Sequence, residues 1–100
     1  MFYIKAVVTR LIDDNSYPEI VLCEFADFKG IKHTFIEKWP VISSEKFCNN
    51  FPKCCLIGCV LMEEKTRTYT VNTGQPWGIE SIEGKTIFEI DRSLLIKMDD

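Results

Sequence analysis

Cys48, Cys54, Cys55 and Cys59 fall within twelve positions of one another, a density that raises zinc chemistry. Their spacing argues against it. Structural zinc sites draw on paired knuckles such as Cys-x-x-Cys, whereas adjacent Cys54 and Cys55 on a strand point to opposite faces. The only histidine, His33, is remote in sequence. No metal is expected, and the cysteines read as small core hydrophobes.

His33 with any of these thiols could form a nucleophile and base, with Glu24 opposite His33 across a hairpin to orient it. A thiol enzyme needs all three groups and an oxyanion-binding turn to converge, and no glycine turn of that kind accompanies them. A Glu24–His33 contact on a sheet face is the simpler meaning, and no catalytic residue is expected. The paired acids Asp13-Asp14 and Glu63-Glu64 could be catalytic carboxylates or magnesium ligands, but both fall in expected turns, where charge is ordinarily solvated. Gly74-Gln75-Pro76-Trp77-Gly78 lacks the glycine pattern of a phosphate loop, so no cofactor is expected. Trp39 and Trp77 stand beside prolines in loops, where a large ring either packs over the open end of a barrel or anchors a partner.

The elements that must position these groups read as strands. Phe2 to Ile12 alternates, with Phe2, Ile4, Ala6 and Val8 on one parity, and Glu19 to Ala26 is β-branched and aromatic. Asp27-Phe28-Lys29-Gly30 has the Asp and Gly of a type I turn, so Ile31 to Glu37 completes a hairpin. Trp39-Pro40 should end the pairing, and Ser43 can cap a short helical insert running to Phe47. Cys54 to Met62 is almost wholly apolar, as a central strand covered on both faces would be, with Gly58 marking a bulge or a close backbone approach. Cys55, Ile57, Cys59 and Leu61 are its expected core residues. Glu63-Glu64-Lys65 should turn the chain into a strand from Thr66 to Thr73, and Lys85 to Ile90 should form the last of six strands. No segment shows a long 3.6-residue period. The expectation is a single all-β domain over 1–100, mainly antiparallel, a small barrel or sandwich with one short helical insert.

Length and charge narrow the partners. A chain of 100 residues that is 46% hydrophobic and 27% charged is of ordinary single-domain size and globular composition. No window reaches the roughly 18 apolar residues of a membrane span, and the N-terminus alternates where a secretory signal would be continuous. Five cysteines, an odd number, with no export signal point to reduced thiols in the cytoplasm. The net charge is −3, and the basic residues are scattered where a nucleic-acid surface needs a concentrated stripe. The acids cluster, at Asp13-Asp14, Glu63-Glu64, Glu80 with Glu83, Glu89 with Asp91, and Asp99-Asp100. A basic protein is the easier partner, and Glu63, Glu64, Glu80 and Glu83, with Trp77 as an anchor, are the expected contact residues.

The hairpin from Cys23-Glu24-Phe25-Ala26-Asp27-Phe28-Lys29-Gly30 through His33-Thr34-Phe35-Ile36-Glu37-Lys38-Trp39-Pro40-Val41 resembles a segment of small bacterial cytoplasmic proteins, some of them immunity proteins that travel with toxins. The nearest such family is the immunity partner of a contact-dependent growth inhibition toxin with a ribonuclease domain. What that resemblance implies is a monomeric inhibitor that forms a 1:1 complex with a basic nuclease and covers its active site. From a different class, a β-barrel RNA-binding module of translation-factor or oligonucleotide-binding type would read RNA with Tyr69 and Arg67. An enzyme built on Glu24 and His33 is the third alternative.

Overall fold

A computed structural model describes residues 1–13 and 15–99, so Asp14 and Asp100 of the clustered acids lie outside the described residues. The alternation in the first segment builds β1, Phe2–Asp13, which turns Ile4, Ala6 and Val8 inward. Its twelve residues are long enough to carry partners on both edges. β4, Lys53–Glu64, pairs along Phe2 to Val8 of β1, and β2, Ile20–Ala26, pairs along Val7 to Asp13. β3, Lys32–Lys38, continues the hairpin from β2, while β5, Thr68–Asn72, and β6, Ile87–Asp91, extend the sheet beyond β4. The resulting order is β3-β2-β1-β4-β5-β6, all antiparallel. A seventh short strand, β7, Leu95–Lys97, pairs with Phe2 to Ile4 of β1.

The β1–β2 register shifts twice, between Val8 and Arg10 and between Leu11 and Asp13. Such irregularities increase strand twist and bend the sheet. The sheet accordingly curls into a half-barrel that brings its two edge strands face to face. Phe88 of β6 meets Phe25 edge-on at 5.2 Å, Phe35 at 5.8 Å and the His33 ring at 4.7 Å. Two backbone hydrogen bonds span the seam: Phe28 N–H donates to the Glu89 carbonyl (2.8 Å), and Ile82 N–H to the Thr34 carbonyl (2.9 Å). The loop over 73–86 fills the rest of the gap. Its Ile79 and Ser81 are buried, and the Thr73 hydroxyl donates to the Ile79 carbonyl at 2.7 Å.

The expected turn at Asp27 is present: Gly30 N–H donates to the Asp27 carbonyl at 2.9 Å, with Gly30 at φ 81°, where glycine alone carries no steric cost. The helical insert lies earlier than expected. α1 is the single turn Trp39–Ile42, and Ser43 ends it, its N–H donating to the Trp39 carbonyl. Pro40 suits a first turn because its missing donor would be unpaired there, and the Ser43 hydroxyl accepts instead from Glu45 N–H at 3.1 Å. Glu63 and Glu64, expected in a turn, are the last residues of β4, opposite Thr70 and Tyr69. The turn follows them, with Lys65 N–H donating to the Thr68 carbonyl. β4 is sealed on its inner face by Cys55, Ile57 and Cys59, but its outer face is only half covered at Leu56 and Val60, and Cys54 and Met62 are exposed. Leu61, expected in the core, is half-buried because the β4–β5 register shifts immediately after it.

All five cysteines are free thiols, but Cys48 and Cys54 are exposed rather than buried. Within the core, burial pushes the Cys59 thiol up to about 12, and a hydrogen bond to Cys55 together with burial pushes Cys23 higher still. Those thiols stay protonated at neutral pH and are poor nucleophiles. No helix among the described residues is long and apolar enough to cross a membrane.

Gly58 lies under the Trp77 ring, where a Cβ would overlap the indole carbons and meet Met1 at 3.0 Å. Gly58→Ala should displace Trp77 from the sheet, red-shift tryptophan emission and cost about 1–3 kcal/mol through overpacking. Ile57→Ala, wholly inside, should cost about 2–5 kcal/mol through lost burial and a residual cavity. Urea unfolding of each variant measures both; a neutral result at Ile57 would contradict the inward face assigned to β4.

Candidate functional site

The residues expected to contact a partner do not form one surface. Glu64 pairs across the ladder with Tyr69 at the first end of β5. Glu80 and Glu83 lie on the loop that leaves its other end, so the strand separates the two acidic pairs. Glu64 is also compensated: Arg92 Nη2 sits 2.6 Å from its Oε1, and the Arg92 guanidinium lies 4.7 Å from the Tyr69 ring centre. Charge-assisted pairing and stacking reinforce each other there. The same arrangement covers the aromatic platform that an RNA-binding module would need at Tyr69.

Trp77 belongs to a different face. Its ring rests on Gly58, 6.1 Å from Tyr3, and is 50% exposed. With Tyr3, Val41, Leu56 and Met98 it lines a groove of about 270 Å³ on the outer side of β1 and β4. The chain then turns inward at Ile79, which is buried, and emerges at Glu80.

At Glu80 the structure adds a residue that was not singled out in the sequence. Glu37 follows His33 and Phe35 on the inward parity of β3 but stands at the rim and is half-buried. Burial first, and the nearby charge of Glu80 second, push its carboxyl above the usual range. Its signal in the sequence is a charge continuing the core parity of a strand. Most other carboxylates are satisfied: Glu24 by Lys32 at 3.4 Å, Glu45 by Lys53 at 3.3 Å, and Glu89 by Lys65 at 3.2 Å and the Thr68 hydroxyl at 2.8 Å. Asp13 accepts from Ser16, and Asp91 caps the 3-10 turn Arg92–Leu94 through Ser93 N–H. Glu37, Glu80 and Glu83, all at the β3 side of the seam, form no ion pair among the described residues.

The expected Glu24–His33 contact is replaced. Glu24 lies opposite Thr34 and His33 opposite Phe25, so the one-residue offset puts the two side chains on opposite faces of the sheet. His33 Nε2 is held instead by Asp27 Oδ2 at 2.8 Å, with the ring 5% exposed beside Phe25 and Phe88. Asp27 Oδ1 accepts from Lys29 and Ile31 N–H. Burial works to raise the Asp27 carboxyl, but the hydrogen bonds from His33, Ile31 and Lys29 outweigh it and hold it below its usual value. The arrangement locks the hairpin and seals the imidazole from solvent. Among the described residues, no three His, Cys, Asp or Glu side chains converge as metal ligands would.

Comparisons with protein-family models, with curated proteins and with solved structures yield no match. The seam presents two neighbouring carboxylates and a third close in sequence, without an ion pair among the described residues.

Two pH dependences follow. A carboxyl raised in the folded state opposes folding once ionised, so Glu37→Gln should stabilise the protein at neutral pH by a few tenths to about 1 kcal/mol after solvent screening. That gain should vanish as the pH falls through the raised Glu37 value. Asp27 works in the opposite direction: its stabilisation is present above the ordinary value of 3.8 and is lost as the pH falls through the lower folded value. Asp27→Asn should cost about 1–3 kcal/mol at pH 7 and converge with the wild type in acid. Thermal melts from pH 2.5 to 7.5 test both signs.

Proposed function

We propose that this protein works by binding a basic protein, in the manner of an immunity protein that covers the cationic cleft of a ribonuclease toxin. The observation that carries this reading is the pair Glu37–Glu80, like charges near each other at the seam with Glu83 close in sequence, none of the three in an ion pair among the described residues. Ionised Glu37, half-buried and with the charge of Glu80 nearby, opposes folding of the free protein. A partner that supplies lysines or arginines relieves the repulsion, so part of the binding free energy is already stored in the unbound surface.

The surroundings fit that use. The carboxylates stand on a hydrogen-bonded edge strand and on a loop anchored by buried Ile79 and Ser81, so binding them costs little ordering. A nuclease cleft built for phosphates presents the complementary sign, and attraction over about 10 Å steers the encounter before contact is made. The cytoplasm, where such a toxin acts, and a monomer in a 1:1 complex complete the proposal. Glu64, already paired with Arg92, contributes little in this scheme, and the contact moves from Glu63 and Glu64 to Glu37, Glu80 and Glu83.

The test uses the product of the gene immediately upstream, which on this proposal encodes the ribonuclease toxin. Stopped-flow and calorimetric titration should show 1:1 binding and loss of ribonuclease activity. The triple variant Glu37→Gln, Glu80→Gln, Glu83→Gln should associate at least about tenfold more slowly at low ionic strength, with the difference shrinking at high salt. Glu63→Gln with Glu64→Gln should leave the rate within about twofold. A wild-type protein that neither binds nor inhibits the toxin, or that binds single-stranded RNA tightly in its absence, would sink the proposal.

A further inference from the structure

Cations that are scattered along the chain meet on the outer face of the sheet. The outward parities of the first three strands expose Lys5 and Arg10 on β1 and Lys32 and Lys38 on β3. Ladder register sets them among aliphatic side chains. Arg10 lies opposite Leu22 and Leu22 opposite Ile36, while Lys38 stands opposite Ile20 and Lys32 opposite Ala26. On the other edge of β1, Lys5 lies opposite Leu56 and Val7 opposite Cys54. Side chains directly opposed on one sheet face are about 5 Å apart, so Arg10, Leu22 and Ile36 form one row across three strands.

Two acids share this face. Glu24, opposite Val7 and Thr34, is held by Lys32 at 3.4 Å, and Asp13, opposite Ile20, accepts from the Ser16 hydroxyl and Asn15 N–H. Lys5, Arg10 and Lys38 enter no ion pair among the described residues. A chain of net charge −3 thus turns an excess of cations outward on β1, β2 and β3, Lys5, Arg10, Lys32 and Lys38 against Glu24 and Asp13. Glu37 does not offset them, because it follows His33 and Phe35 on the other side of β3. Past β4 the outer side turns acidic, with Glu63 opposite Thr70 and Thr70 opposite Glu89.

We infer that this outer face is a second interaction surface, which takes an acidic protein segment with carboxylates against Lys5, Arg10 and Lys38 and apolar side chains against Val7, Leu22 and Ile36. It goes beyond the role proposed above and does not depend on it, since Glu37 and these cations lie on opposite sides of the sheet. Ile36 is 47% and Val7 38% exposed, and aliphatic groups bordered by unpaired charge have the make-up of a protein interface, in which the charges steer the partner and the apolar centre holds it. A single-stranded nucleic acid gains its energy by stacking bases on aromatic rings, whereas the row from Arg10 to Ile36 is aliphatic. An anionic membrane takes up apolar groups that reach past the headgroups, and here half-buried Leu22 and Ile20 are outreached by the longer lysine and arginine chains around them. A second copy docked face to face would set like charges together.

The experiment titrates the isotope-labelled full chain with three synthetic peptides: one of glutamates and serines interrupted by two leucines, one with the leucines replaced by serine, and one with the glutamates replaced by glutamine. The first should shift amides around Arg10, Leu22 and Ile36, and each of the others should bind at least about fivefold more weakly. The triple variant Lys5→Gln, Arg10→Gln, Lys38→Gln should lose at least about tenfold for the first peptide, and Ile36→Ser about threefold or more. All four positions are exposed, so the variants should fold, which their free amide spectra check; the peptide comparison on the wild type carries the same test without any substitution. Equal affinity for the leucine-free peptide would reduce the face to unspecific attraction of charge, and shifts centred on the seam or the Trp77 groove would place the surface wrongly. Either overturns the inference, as does no binding of the first peptide at about 1 mM. Tighter binding of single-stranded RNA, or of vesicles containing phosphatidylserine, through the same residues would assign the face to that ligand and overturn it as well.

Discussion

The long strand β1 is paired along both edges, and the rest of the molecule takes its place from that pairing. Residues Phe2 to Val8 are matched to β4 on one side, while β7 and β2 share the other, β2 taking over from Val7 onward. Backbone groups that would be costly to bury unpaired are thus satisfied along the centre of the sheet. The alternation Ile4, Ala6, Val8 meets Cys55 and Ile57 of β4 and Cys23 of β2 on one face. The two register shifts against β2 convert a flat ladder into a curled one, and curvature is what allows Phe88 to reach Phe25, Phe35 and His33.

Closure of the half-barrel differs from that of a continuous barrel. Two backbone hydrogen bonds and the buried Ile79 and Ser81 span the gap between β3 and β6, where a complete ladder would have removed both edges. Open edges invite unwanted pairing, and this protein covers much of them with a loop. The consequence is local: the loop brings Ile82 beside Thr34 and the charge of Glu80 near enough to Glu37 to raise its carboxyl, after burial has done so. The Asp27–His33 lock at the hairpin tip holds the other end of the same seam, through Phe28 N–H on Glu89.

The Trp77 groove and the Glu64–Arg92–Tyr69 stack illustrate how the same residue types serve structure. Trp77 occupies space that Gly58 vacates, and Arg92 ties the β4–β5 hairpin to the end of β6 while masking Tyr69. Both look like recognition groups in isolation. In place, each satisfies a neighbour, whereas the carboxylates at the seam do not.

The sequence by itself determined the strands, the parity of the core and the hairpin turn. Period-two alternation and the Asp-to-Gly turn act over a few residues, so Ile4, Val8, Val21, Cys23, Phe25 and Ile57 could be read as inward without knowing their partners. Glu80 and Glu83 were legible as loop acids, and Glu37 was legible only as an oddity, a charge on a core parity. The tertiary structure decided the rest. Which acids are neutralised depends on cross-strand partners far away in sequence, as Arg92 is from Glu64. The face His33 shares depends on a one-residue register, which placed it with Asp27 and away from Glu24. Ladder pairing set the end of β4 at Glu64, since polar residues on the solvent side of a strand end leave no hydrophobic mark. The meeting of Glu37 with Glu80 required the sheet to curl until its two edges faced each other, and that curvature arises from register shifts that no local pattern of residues encodes.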